Sequence, residues 1–269
     1  MIDLHIHILP GLDDGAESWE DALEMAEIAV ESRTECLAAT IHSNLPGNHP
    51  PGLKDSYLMR LSRFRMLLQA ENIPLSVCPG MEIFVREGFL EKLKAGELLT
   101  LNGTHYPLLE FDMAAPAFEI YQALDHVLEA GFLPVIAHPE RYRCIQRVPA
   151  HVYEWYRMGA VIQLNKGSIL GSFGGKVRRT ADTLLRHRLA AVVASDAHSS
   201  VARTPRMEEL WEYLADRFGQ ECPRLLLEEN PGRILRGERV IWRQPAGYDY
   251  SAAGGESAAA FWGGDGRNA

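Results

Sequence analysis

Several common devices are missing from this 269-residue chain. Its four cysteines, Cys36, Cys78, Cys144 and Cys222, are scattered and form no C-x-x-C pair. A reduced, cytoplasmic protein is the simplest reading. No run approaches the roughly 18 apolar residues of a membrane helix, and the opening Met-Ile-Asp has neither the basic nor the apolar stretch of a secretory signal. Neither a membrane span nor export is expected. There is no basic stripe: 27 Lys and Arg face 36 Asp and Glu, giving a net charge of −9. Nucleic acid is therefore excluded as a partner. No repeat of solenoid period is present. A G-x-S-x-G elbow is absent, and Gly171-Ser-Phe-Gly-Gly175 does not follow the dinucleotide fingerprint.

What the chain does contain is alternation. Aliphatic or β-branched runs at Ile2–His7, Cys36–Ile41, Leu75–Val77, Tyr106–Phe111, Leu133–Ala137, Ala160–Leu164 and Ala191–Ala194 are separated by amphipathic segments. Those segments lie near Trp19–Ser32, Ser56–Glu71, Ala117–Ala130, Ala150–Met158 and Lys176–His187. Ser18 with Asp21 opens the first as a capping-box-like start, and Trp19, Ala22, Ala26 and Ala29 share one helical face. Strand–helix alternation argues for parallel strands covered by helices. Seven such units in a chain of this length fit a closed or nearly closed α/β barrel, with a doubly wound sheet as the other possibility. Residues 1–243 form that domain. Residues 244–269 are Gly/Ala-rich and aperiodic, and are expected to be a disordered tail.

The strand ends carry the chemistry. The chain begins MIDLHIH, and residues i and i+2 of a strand share a face, so His5 and His7 project together. Two adjacent imidazoles suit one metal ion. In an α/β barrel the active groups sit at the C-terminal ends of the strands. Here those ends supply His42 (AATIHS), Glu82 (VCPGMEI), Glu110 (LLEFD), His138 (PVIAHPERY) and the pair Asp196 and His198 (VVASDAHS); the sixth, IQLNKG, supplies only Asn165. An acidic turn, Leu12-Asp13-Asp14-Gly15, follows the first strand. About one residue in six of this chain is His, Asp or Glu, yet six of seven strand ends hold one and two hold a pair. Metal binding is the reading this favours.

The H-x-H start, the LDDGA loop, His42, PGMEI, LLEF, AHPERY and ASDAH together resemble the PHP (polymerase and histidinol phosphatase) superfamily. Within it the sequence is most similar to the bacterial manganese-dependent protein-tyrosine phosphatases of capsule and exopolysaccharide operons, from residue 1 to about residue 240, including the closing ENPGRIL. The resemblance implies a distorted (β/α)7 barrel and three divalent metal ions. It implies His5, His7, Asp14, His42, Glu82, Glu110, His138, Asp196 and His198 as their ligands, with Glu82 bridging two ions. Many PHP sequences carry a paired T-P-H-H on strand two; this chain has Thr40-Ile-His42-Ser, so the second histidine and its role are missing.

Such a ligand set fits hydrolysis of a phosphate monoester, among the slowest uncatalysed reactions known. Four carboxylates against three divalent ions leave a cationic site in an acidic protein, and a metal-bridged hydroxide can attack phosphorus. Mixed imidazole and carboxylate donors suit Mn, Fe or Zn better than Ca or Mg; the resemblance favours manganese. Arg141, in the HPERY segment that directly follows the fifth strand, and Arg203, after the last pair, are placed to bind phosphate, and the resemblance implies the same role. Arg206 is a second candidate in that loop. Asp196 or His198 could relay a proton to the leaving phenolate. The expected substrate is a tyrosine-phosphorylated protein, a partner implied only by the resemblance, which points to the tail of a bacterial tyrosine autokinase. Ser43–Gly52 could form a peptide-contacting rim, its His49 an ordinary loop histidine.

The thiolate mechanism of cysteine-based tyrosine phosphatases has no residues to run on, because the positions six after each cysteine hold His42, Phe84, Ala150 and Glu228 rather than arginine. Two alternatives share the metal centre. One is another PHP phosphoesterase, such as a histidinol-phosphate phosphatase. The other is a non-catalytic docking module that uses its metals structurally.

Overall fold

The structure, a computed structural model, describes residues 1–47 and 52–246. Seven parallel strands form one sheet in chain order: β1 Ile2–Ile6, β2 Cys36–Ser43, β3 Ser76–Phe84, β4 Leu108–Glu110, β5 Val135–Ala137, β6 Val161–Asn165 and β7 Val192–Ala194. Each was anticipated as an aliphatic run, as expected of strands buried on both faces. Helices follow them: α1 Trp19–Glu31, α2 Leu53–Ala70, α3 Phe89–Lys94, α4 Ala117–Glu129, α5 Arg143–Arg147, α6 Ala150–Met158, α7 Lys166–Leu170, α8 Gly175–Arg186, α9 Glu208–Phe218, α10 Glu221–Arg224 and α11 Asn230–Leu235. Ser18 caps α1 by accepting from the Asp21 N–H at 3.2 Å. A large apolar cluster packs Ala22, Met25, Phe64, Leu124, Trp155 and Leu184 from the helices against strand residues such as Ile41, Ile136 and Ile162.

The run expected at Leu75–Val77 extends to Phe84, straight through Pro79-Gly80. The Tyr57 hydroxyl makes this possible. It donates to the Ala39 carbonyl at 2.7 Å and accepts from the Gly80 N–H at 2.9 Å, standing in the ladder beside the proline, which has no N–H. Without that extension Glu82 would not lie beside His42, its register partner on β2.

The barrel closes irregularly. β1 and β7 join through the segment after β7: the Asp196 N–H donates to the His5 carbonyl at 2.8 Å, and the His7 N–H to the Ala197 carbonyl at 2.9 Å. Below them the Asp3 carboxylate accepts from the Ser195 N–H at 3.0 Å in place of a strand partner. The seam is thus stitched through residues that also carry the H-x-H and D-x-H pairs.

The helices α9 to α11 have no counterpart in the periodicity reading. In the ENPGRIL segment, buried Asn230 donates to the Ala191 carbonyl at 2.9 Å and accepts from the Ile241 N–H at 2.7 Å, fixing the chain's return against the start of β7. Packing continues to Ala246, whose N–H meets the His187 carbonyl at 3.2 Å. The tail expected at 244–269 lies, from residue 247 on, outside the described residues, as does His49. Among the described residues no helix is long and apolar enough to cross a membrane.

Candidate metal centre

All nine candidate donors gather at the C-terminal mouth of the barrel. They fall into four overlapping groups: His7, Asp14, His42 and His198; His5, His7 and Asp196; His5, Glu82 and His138; and His42, Glu82 and Glu110. Within each group the ligand atoms lie within 4.8 Å of one another. Glu82 is the hub. Its Oε1 is 2.9 Å from His138 Nε2; its Oε2 is 2.9 Å from His42 Nδ1, 3.2 Å from His5 Nε2 and 3.3 Å from His7 Nε2. Only Asp14 stands largely in solvent, with its Oδ1 3.5 Å from both His42 Nε2 and His198 Nε2.

His5 and His7 show what the site is built to hold. Their Nε2 atoms face each other at 3.1 Å. The outer nitrogen of His5 meets Gln163 Oε1 at 3.0 Å, and that amide's orientation is set because its Nε2 donates to the Leu164 carbonyl and to Asn165 Oδ1. The outer nitrogen of His7 meets Asp13 Oδ2 at 2.7 Å. Both Nδ1 atoms therefore carry their protons outward, and in the neutral rings two lone pairs point at each other and at carboxylate oxygens. A cation between them resolves that arrangement, and outer partners of this kind are what aim metal-bound imidazoles.

The charges agree. Burial opposes a charged imidazole at His7, but Asp13 and Glu82 outweigh it and raise the pKa to about 9. At His42 burial is likewise outweighed, by Glu82 and Glu110, and the value rises to about 11. Burial also opposes ionisation of Glu82, yet His5, His42 and His138 hold it well below the usual carboxylate range. The cage is anionic, and where no metal sits it draws protons onto His5, His7 and His42.

Local sequence explains the placement. Gly15 is required where the LDDGA loop turns back over β1, because a Cβ there would stand 2.1 Å from the His7 carbonyl oxygen. That close pass brings Asp13 onto His7 and lets the same carboxylate accept from the His42 N–H at 2.9 Å. His138 (φ 35°, ψ 52°) and Asp196 (φ 50°) occupy the left-handed region just past β5 and β7. This backbone is strained for non-glycine residues and concentrates at functional sites. The turn at His138 swings Arg141 inward, and the loop after His198 folds so that the His198 N–H meets the Arg203 carbonyl at 2.9 Å. Both guanidinium groups reach Asp196 Oδ2, Arg141 at 3.4 Å and Arg203 at 2.5 Å. Arg206 does not join them; it turns out to Glu31 on α1 at 3.2 Å. A cleft of about 570 Å³, lined by Asp14, Gly15, Glu17, His198, Ser199 and Arg203 among others, opens beside the donors.

Sequence reasoning missed the groups that aim the donors. Asp13 entered only as part of the acidic turn beside the candidate ligand Asp14, and Gln163 and Asn165, which donates to Asp196 Oδ2, carry no metal signature as amides.

Residues 1–236 match the family model described as capsular polysaccharide synthesis, CpsB/CapC. The chain is 36% identical over 247 residues to the tyrosine-protein phosphatase YwqE of Bacillus subtilis, covering 91% of this chain and 95% of that protein. It is 31% identical over 245 residues to the tyrosine-protein phosphatase CpsB of Streptococcus agalactiae, covering 89% and 100%. Among solved structures, it superposes with a TM-score of 0.85 and 35% identity on a chain from the crystal structures of B. subtilis YwqE and Streptococcus pneumoniae CpsB, metal-dependent tyrosine phosphatases, covering 91% of this chain and 98% of that one.

Proposed function

This chain belongs to the capsular polysaccharide synthesis family CpsB/CapC, and on that premise we propose that it is a metal-dependent tyrosine phosphatase that hydrolyses phosphotyrosine on a protein. The observation that carries the reading is the convergence of nine donors into four groups sharing His5, His7, His42 and Glu82. A closed structural site needs one group of about four donors. This one offers several overlapping groups and a solvent-facing cleft.

His5, His7, Asp14, His42, Glu82, Glu110, His138, Asp196 and His198 would hold three divalent ions, manganese by preference. When bound, such ions neutralise phosphate oxygens, acidify a water near neutral pH and favour departure of the leaving oxygen. The protein's own groups do the rest. Asp13 and Gln163 fix the tautomers of His7 and His5. Arg141 and Arg203 offer planar donors to the phosphate, as guanidinium groups do. Asp196, held by both arginines and by Asn165, acts as their anchor. His198 stands at the cleft edge beside Asp14, but as ligands neither it nor Asp196 is free to pass a proton to the leaving phenolate, so both are assigned to holding metal.

The cleft is open enough for a tyrosine side chain still attached to a polypeptide. The substrate we favour is the tyrosine-rich tail of an autokinase of polysaccharide synthesis, met in the cytoplasm, where the four free cysteines stay reduced. Residues 1–243 are assigned as the phosphatase domain, and the segment beyond as a tail outside the chemistry. The test is elemental analysis of the purified protein alongside phosphate release from a phosphotyrosine peptide. Stoichiometric metal with release that chelation abolishes is the expected result. Metal-loaded protein that binds the peptide without releasing phosphate would mean a docking module. Preference for histidinol phosphate would mean a different phosphoesterase.

A further inference from the structure

The end of β6 supplies no His, Asp or Glu, yet the segment that follows it touches both arginines. Phe173, in the turn between α7 and α8, places its ring centroid 4.8 Å from Arg141 Cζ and 5.6 Å from Arg203 Cζ. It is only partly buried and belongs to neither apolar cluster of the fold, so it is not filling the core. The ring lies on α7 at Gly167, where a Cβ would stand 2.8 Å from Phe173 Cε2. The same helix holds the Arg203 loop from beneath: Lys166 Nζ donates to the carbonyls of Thr204 and, at 3.0 Å, Arg206.

The two guanidinium groups share one partner atom, Asp196 Oδ2. Two like charges drawn to one oxygen repel each other, and two long side chains lose freedom when held there. An aromatic face relieves both problems, because its quadrupole attracts cations and its plane matches the flat guanidinium. We propose that Phe173, seated on Gly167, is a positioning residue for phosphate recognition, holding Arg141 and Arg203 as a preformed pair that receives a phosphate monoester. The inference rests on the phosphatase reading but concerns phosphate affinity, which can be measured without turnover.

The test compares manganese-loaded full-length protein with Phe173→Leu, Phe173→Tyr, Gly167→Ala and the Phe173→Leu/Gly167→Ala double variant. The readouts are inorganic phosphate affinity by calorimetry, KM and kcat on a phosphotyrosine peptide, and bound metal. Phe173→Leu keeps the volume but loses the ring, and is expected to weaken phosphate binding and raise KM by about tenfold, with kcat within about twofold and metal content unchanged. Phe173→Tyr restores affinity. Gly167→Ala shifts affinity the same way by displacing the ring, and the double variant is no worse than Phe173→Leu, because Gly167 acts through Phe173. Unchanged phosphate affinity in Phe173→Leu overturns the proposal, as does a loss traced to missing metal. Absence of phosphate release by the unaltered protein would instead overturn the phosphatase reading, and the calorimetric comparison would still decide the role of Phe173.

Discussion

Strands β1 and β6 are both five residues long and buried almost throughout, and both end at the same mouth of the barrel. β1 and the residue just past it deliver two imidazoles to the centre, His5 and His7; β6 delivers two amides, Gln163 and Asn165. The first strand supplies donors and the sixth supplies the aim of donors that belong to other strands. Gln163 sets the ring of His5, and Asn165 holds Asp196 for the two arginines. A barrel mouth can thus be divided between residues placed to hold ions and residues that determine where those donors point. The two kinds of residue should fail differently.

The deepest failure is expected on the donor side. His5→Ala or Asp196→Ala should lose bound metal and all measurable phosphate release, read by elemental analysis and peptide turnover together. Either variant keeping full metal content and activity would erase the distinction between the strands. Asp13→Ala comes next. It removes the acceptor for His7 Nδ1 and for the His42 N–H at once, and should weaken metal affinity by about 10–100-fold, measured by competition with a chelator. Gln163→Leu removes the partner of one ring together with a hydrogen bond to Asn165, and should cost about tenfold by the same assay, with metal still bound at saturation. If Gln163→Leu were as damaging as His5→Ala, β6 would have to be counted with the donors.

The smallest effect sharpens the electrostatic side of the comparison. His7 has a folded pKa of about 9 against an ordinary 6.5, the carboxylates having outweighed its burial. A raised value stabilises the folded metal-free protein fully below pH 6.5, and that stabilisation is lost as pH rises through about 9. The thermal midpoint of chelated protein should therefore fall by a few degrees across that window. Metal-loaded protein, in which the metal takes the place of a proton on His7 Nε2, should stay level. A parallel decline in both forms would mean that these histidines do not meet a cation.

Much of this was legible beforehand because strands and donors leave strong local marks. All seven strands were visible as aliphatic runs, since a strand covered on both faces must be apolar along its length. The nine donors stood at the ends of those runs or in the turn after the first. The hidden parts depend on contacts distant in sequence. Pro79-Gly80 looks like a break, and only Tyr57, on another element, makes it strand. Asp13 and Asp14 are chemically alike, and the turn at Gly15 alone decides which one reaches His7. Arg203 and Arg206 are three residues apart, but the loop after His198 sends one to Asp196 and the other to Glu31. Helices α10 and α11 are four and six residues long and contain Pro223 and Pro231, so no long helical period announces them; α9, at 11 residues, has a period that the sequence reading passed over.

His138 and Asp196 have left-handed backbones, a conformation in which glycine is the relaxed occupant. At these two positions the requirements of durability and of chemistry oppose each other: glycine would ease the turn and delete the donor. Any programme that selects variants of this chain for heat resistance alone will be drawn toward those substitutions and will enrich sturdy barrels that do nothing, so selection for robustness needs a simultaneous screen for retained metal.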